Sequence, residues 1–198
     1  MEFVEEIERA CFPAHMRHDR SSFRAFISSD YSAGLLMFLD GLSIGYISGT
    51  HLSDEYLTDV LSVDSPVRDA QDETFYIDNI AIIDAHRSVI ALDFLIHEMV
   101  GLLKEEDYRY AIAYIRRSHG LSRLMRIRYG ATCLKTVDNW EGLEESFDCM
   151  LFTLAGIPTL PLAAEHVYEM LRKMHGKIHA RRRRRALKPD LPEGRDSA

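Results

Sequence analysis

Apolar residues recur along this chain at helical, alternating and continuous spacings, and their order outlines the fold. In "EFVEEIERACF" Phe3, Val4, Ile7, Ala10 and Cys11 share one helical stripe, and Pro13 ends the segment. "SSFRAFISS" reads as a second short helix with a serine N-cap. "AGLLMFLDGLSIGYISGTHL" reads as a hairpin that turns at Asp40-Gly41. The acidic span "DEYLTDVLSVDSPVRDAQDE" reads as an irregular or partly helical excursion.

Next comes "TFYIDNIAII", a strand expected to be buried on both faces after Asp78. From Ser88, the residues Ile90, Leu92, Leu95, Ile96, Met99, Val100 and Leu103 lie along a helical stripe. "YRYAIAYIRR" is another buried strand. "SHGLSRLMRIRYGA" carries Leu121, Leu124, Met125 and Ile127 as a helix stripe, with Gly130 as its C-cap. "TCLKTVDNW" and "SFDCMLFTL" read as two further strands.

The strand–helix–strand step requires a parallel pair in a sheet that is otherwise antiparallel. The expected class is α+β, an α/β sandwich with a mixed, mostly antiparallel central sheet flanked by helices. One domain should span residues 1 to 153, followed by a linker over 154 to 163. A basic amphipathic helix is expected over 164 to 185, then a disordered tail from 186 to 198.

Composition narrows the setting. The chain has 198 residues, 46% hydrophobic and 28% charged, as in an ordinary globular protein. No apolar run reaches the length of a bilayer span, and "MEFVEEIERA" is too acidic for a secretory signal. Three cysteines, Cys11, Cys133 and Cys149, lack metal or redox spacing, which favours a reducing, cytoplasmic location.

The net charge is −7, but from Arg172 onward ten basic residues face three acidic ones, which leaves −14 for the body. An acidic body argues against nucleic acid as its ligand. The run Arg181 to Arg185 could hold an acidic partner, or remain a solvated tail that folds back on the body.

Two motifs fall away on inspection. "GLSIG" matches a nucleophile elbow, but strand-like sequence lies on both sides of Ser43, where the elbow needs a helix. "HEMVG" lacks the second histidine of a metal-binding helix, so no metal site is expected. His97 and Glu98 then read as surface residues of their helix, and so does Asp93.

The remaining constellation is "FYIDNIAIIDAHRSVIALDFLIHEMVGLLK", a strand, a polar turn and a helix start. These are the parts of an anion-binding loop, yet the turn contains no glycine. With "AIAYIRRSHGLSRLMRIRYGA", this stretch resembles the Gcn5-related N-acetyltransferase (GNAT) superfamily. The motif-level match covers residues 76 to 131, and the order of elements covers roughly 1 to 153.

The resemblance implies an acyl-CoA co-substrate, acetyl-CoA in the first instance. It would lie against a splayed central strand at Ile80, Ala81 and Ile82, with its pyrophosphate on the following turn. The turn's signature, Q/R-x-x-G-x-G/A, begins on Arg87 and continues through Ser88, Val89, Ile90, Ala91 and Leu92. Ile90 and Leu92 stand where small residues are the rule.

A second signature, N-x-x-A-x-x-x-Y-x-x-x-G-F, ends on Gly130. It puts His119 on its asparagine, Ser122 on its alanine and Arg126 on its tyrosine, while Ala131 replaces the phenylalanine. Tyr129, close to Arg126 on the helix, is the substitute candidate for the tyrosine acid.

Asp78 falls where the family often places a carboxylate base. Its apolar neighbours should raise its pKa, though it could equally serve only to hydrogen-bond an adjacent strand.

The expected activity is therefore acyl-CoA-dependent N-acyltransfer to a primary amine of a small molecule or protein. The acidic body favours a cationic acceptor such as a polyamine, an aminoglycoside or a lysine side chain. The alternative from another class is a catalytically silent GNAT-like module that docks a partner through its basic C-terminal helix. A second copy of the chain is a candidate partner in either case.

Overall fold

The computed structural model describes residues 2–52, 67–118, 120–139 and 143–158. Two helices come first, α1 (Glu2–Cys11) and α2 (Arg20–Ile27), and then the hairpin β1 (Ser32–Leu39) and β2 (Leu42–His51). The chain continues through β3 (Thr74–Ile82), α3 (Val89–Glu105), β4 (Tyr110–Arg116), α4 (Leu121–Tyr129), β5 (Thr132–Asp138) and β6 (Ser146–Thr153). This is the order that the apolar spacing gives.

One sheet of six strands runs β1-β2-β3-β4-β6-β5, antiparallel throughout except between β3 and β4. The hairpin turns at Asp40 and Gly41, both at positive φ (52° and 80°), as a two-residue loop requires to match strand twist. Gly130, at φ 65°, caps α4.

α3 and α4 cover one face of the sheet. Their Leu95, Met99 and Met125 pack with Ile47, Phe75 and Met150 in the main core. On the other face Ile7 of α1 and Phe23 of α2 pack on Tyr46 and Ala81.

Three expectations need correction. The N-cap of α2 is Asp19, not a serine; its Oδ1 accepts from the Ser22 N–H at 2.7 Å, and a carboxylate also complements the helix dipole. The linker does not begin at 154, because Leu154 and Ile157 are each 1% exposed in the main core. On α3, Glu98 is at the surface, but Asp93 and His97 are buried.

No helix among the described residues is long and apolar enough to cross a membrane. The linker beyond Pro158, the basic helix, the arginine run and most of the acidic excursion lie outside the described residues.

Candidate active site

β3 carries a slip in register. Ser48 of β2 pairs with Asn79, but the next residue, Gly49, pairs with Ile77, so Asp78 has no partner on β2. An extra residue of this kind is a β-bulge, and it reverses the alternation of side chains. Phe75 and Ile77 before it and Ile80 and Ile82 after it all face the main core, while Tyr76 and Ala81 face away. Asp78 and Asn79 consequently emerge together on the α1–α2 side.

Gly49 makes the slip sterically feasible. A Cβ there would sit 2.5 Å from Phe75 Cε1 and closer still to the Tyr76 carbonyl oxygen.

The other edge of β3 opens at the same point. Its parallel pairing with β4 ends at Ile77 opposite Ala113. β4 continues along β6 as far as Arg116, so the two central strands diverge from Asp78 onward. Ile80, Ala81 and Ile82 therefore pair with β2 on one side only and face a gap on the other.

At the mouth of the gap three side chains meet. His18, from the loop between α1 and α2, places Nε2 3.5 Å from Asp78 Oδ2 and 2.7 Å from Asn79 Nδ2. When Nδ2 donates, His18 is neutral with its proton on Nδ1. Turning the amide over presents Oδ1 to a protonated Nε2 instead, so the pair suits either state of the imidazole.

The loop that carries His18 is anchored by Glu8 of α1, which is 1% exposed. Glu8 Oε2 accepts from the His18 backbone N–H at 2.9 Å, and Oε1 accepts from the Tyr46 hydroxyl. Burial and the adjacent Glu8 carboxylate push the Tyr46 phenol well above its ordinary range.

The Asp78 side chain is 37% exposed and lines a pocket at the surface. Loss of bulk water around it raises its carboxyl above the ordinary range, and the His18 imidazole partly opposes that shift. The pocket, about 330 Å3, lies between α2 and strands β2 and β3.

The turn expected from the sequence to bind an anion lies past the open edge. After Ile82 one short turn (Asp84–His86) leads to Ser88, the N-cap of α3, whose Oγ accepts from the Ala91 N–H at 3.1 Å. Val89 and Ile90 N–H lie in the first turn, where no intrahelical carbonyl is available. Ile90 and Leu92 pack on the main core, so neither side chain covers the helix end. Val89, 44% exposed, stands outside it.

Arg87 bonds the Ile82 carbonyl through Nε at 3.0 Å and pairs with Asp84 at 2.8 Å. That pair is solvent-exposed and readily exchanged for another anion. A diphosphate therefore fits here by backbone N–H groups, dipole and guanidinium, without glycine, provided that it displaces the Ser88 cap from Ala91.

The second signature fares differently. His119 lies outside the described residues. Ser122 is buried, with Oγ 3.5 Å from the Ile115 carbonyl oxygen. Arg126 is exposed on α4.

Tyr129 is not the free acid that the resemblance implied. It is 5% exposed in the main core, and its hydroxyl donates to Asp93. Burial first, then the Asp93 carboxylate, hold its phenol far above the ordinary range. Arg128 Nε joins the same carboxylate at 2.6 Å, and the His97 ring packs edge-on to Tyr129 at 6.0 Å.

Sequence reasoning singled out Asp78 and the loop as candidates, and did not single out His18, Asn79, Glu8 and Tyr46, which the structure gathers around Asp78. Only the adjacency of Asp78 and Asn79 was open to view.

No family model matches the sequence, and no curated protein matches it. Solved structures do match. The ribosomal-protein-S18-alanine N-acetyltransferase from Escherichia coli aligns with a TM-score of 0.58 and 10% identity, over 77% of this chain and 86% of that one. FeeM, an N-acyl amino acid synthase from uncultured soil microbes, aligns with a TM-score of 0.60 and 12% identity, over 78% and 90%. NAA60 from Arabidopsis thaliana, solved in complex with acetyl-CoA, aligns with a TM-score of 0.59 and 15% identity, over 78% and 93%. At such identities the likeness establishes the fold, and the fold is that of the GNAT acyltransferases.

Proposed function

We propose that this protein is an N-acyltransferase that moves an acyl group, acetyl in the first instance, from coenzyme A to a primary amine. The observation that carries the reading is the gap at Asp78, where β3 leaves β4 and a carboxylate stands at the opening. Similarity in fold to enzymes with acyl-transfer names supports it.

In this reading the free edge of Ile80, Ala81 and Ile82 offers backbone donors and acceptors to the amide-bearing arm of the coenzyme. The Val89 and Ile90 N–H groups and Arg87 meet the diphosphate, with Ser88 and Ala91 giving up their mutual bond. When bound, the coenzyme supplies a thioester carbonyl as electrophile.

The chain's own residues supply a base and alignment. An amine reacts only unprotonated, and Asp78 Oδ2, ionised but poorly hydrated, takes the proton from the incoming ammonium. His18 Nε2, 3.5 Å away, can receive it, and the Asn79 amide suits either outcome. Glu8 keeps His18 in place. Tyr129 and Asp93 brace α3 against α4 and take no part in proton transfer. The free thiols of Cys11, Cys133 and Cys149 suit a reducing compartment, the cytoplasm.

The exposed Val89 favours a second reading, a GNAT-fold protein that no longer holds the coenzyme and serves as a docking module. Titration calorimetry with acetyl-CoA and desulfo-CoA separates the two. Micromolar binding, followed by turnover on a panel of primary amines, supports the enzyme. No binding up to millimolar concentration overturns it and leaves the docking module.

A further inference from the structure

The pocket above Asp78 has a lining from which the chemistry of its occupant can be read. Its volume, about 330 Å3, is at the small end of ligand sites, where a compact molecule fills the space. Phe23 and Phe26 of α2 form an apolar wall. Ser32 and Ser48 also line it, and neither makes a side-chain hydrogen bond among the described residues. Asp78 is the one carboxylate in the lining, His18 beside it is the one imidazole, and no lysine or arginine is present there.

From this lining we infer that the pocket admits a small primary monoamine with an uncharged body, one face of it apolar and another bearing a hydroxyl or similar group. This rests on the acyltransferase reading for what happens to the amine, but the selectivity is a property of the pocket alone.

Charge is the deciding term. The ammonium pairs with Asp78. A carboxylate or phosphate on the same molecule would find no lysine or arginine to meet it, since the one imidazole in the lining, His18, faces Asp78, and a second ammonium would find no second carboxylate. Free amino acids, phosphorylated amines and polyamines are therefore poor ligands to the extent that they must enter whole. The hydroxyls of Ser32 and Ser48 instead offer neutral partners to a neutral polar group, while the phenyl rings cover the carbon skeleton.

The test uses the full chain and three benzylamines of one shape, bearing at the para position a hydroxymethyl, a carboxylate or a second aminomethyl group. Affinity is measured by ligand-observed NMR without coenzyme, and acyl transfer is followed separately. The hydroxymethyl compound should bind at least about tenfold more tightly than either charged analogue, since an unpaired buried charge costs several kcal/mol. Ala25→Arg, at an exposed position of α2 that lines the pocket, should bring the carboxylate compound level with or above the neutral one. Ser48→Ala should erase the advantage of the hydroxymethyl compound over unsubstituted benzylamine.

Equal or tighter binding of either charged analogue by the unaltered protein, or binding of none, overturns the inference. So does Ala25→Arg in folded protein with no change in the ratio. If the order holds but acetyl-CoA does not bind, the acyltransferase reading fails and the pocket's selectivity stands. Transfer without the order gives the reverse.

Discussion

Tyr129 donates its phenolic hydrogen to Asp93, joining α4 to α3 through a carboxylate that is 5% exposed. Arg128 closes on the same group from the solvent side, so the acid is both paired and hydrogen-bonded. Tyr129→Phe should cost about 1 kcal/mol, a shift of roughly 2–4 °C in Tm, and leave the acyl-transfer rate within about twofold. Asp93→Ala should cost more, about 1–3 kcal/mol or above, because it strands the buried phenol and frees Arg128. A loss of about a hundredfold or more in kcat for Tyr129→Phe, with unchanged Tm, would return the tyrosine to the chemistry.

Asp78 separates activity from stability. As the proposed base it would work ionised, so kcat/KM should rise with pH through a pKa above the ordinary carboxylate range. Asp78→Asn should abolish that limb and lower kcat/KM by roughly a hundredfold or more. Its stability effect has the opposite sign. The folded state holds the Asp78 proton to a higher pH than the unfolded chain does. Stability from this group is therefore lost as pH climbs between the two values and stays lost at neutral pH. The asparagine variant should thus unfold at a higher temperature than the parent at pH 7, and the two should converge at low pH. A variant both less active and less stable at pH 7 would assign Asp78 a merely structural part.

The sequence disclosed the fold well because its elements differ in period: stripes in α1 and α4, a two-residue Asp40-Gly41 turn, continuous apolar runs in β3 and β4. What it hid has physical causes. A bulge leaves the apolar run "NIAII" unaltered, so nothing in the letters told that Asp78 and Asn79 would share a face. α3 is apolar around most of its circumference, so its stripe could not say that Asp93 and His97 face protein. Glu8 is one of four glutamates in α1, and its burial follows only from how that helix lies on Tyr46. His18 sits in a loop, where periodicity says nothing.

Gly49 should tolerate no side chain. Gly49→Ala drives a methyl into the Tyr76 carbonyl and the Phe75 ring, both held in the sheet. A loss of about 3 kcal/mol or more, or failure to accumulate folded protein, is expected. An alanine variant with parental Tm and activity would mean that the slip in β3 is placed elsewhere.

On the proposed reading, Ser88 is a cap that the diphosphate must displace. Ser88→Ala should lower stability by about 1 kcal/mol in the free protein while leaving desulfo-CoA affinity unchanged or improved, because the Ala91 N–H is then free beforehand. Arg87→Ala should weaken the same affinity by roughly tenfold and make it less sensitive to salt. Weaker binding for Ser88→Ala would mean that its hydroxyl, rather than the helix end, holds the anion.

The parting of β3 from β4 also has a mechanical side. The sheet is two slabs, β1 to β3 and β4 to β6, fastened by only four rungs from Thr74–Tyr110 to Ile77–Ala113. Above those rungs nothing in the backbone ladder spans the slabs, so each can breathe without the other. A guest in the opening takes the place of the missing rungs and turns two loosely clasped plates into one. Its arrival should be felt as slower amide exchange in β2 and β6 alike, on either side of the opening.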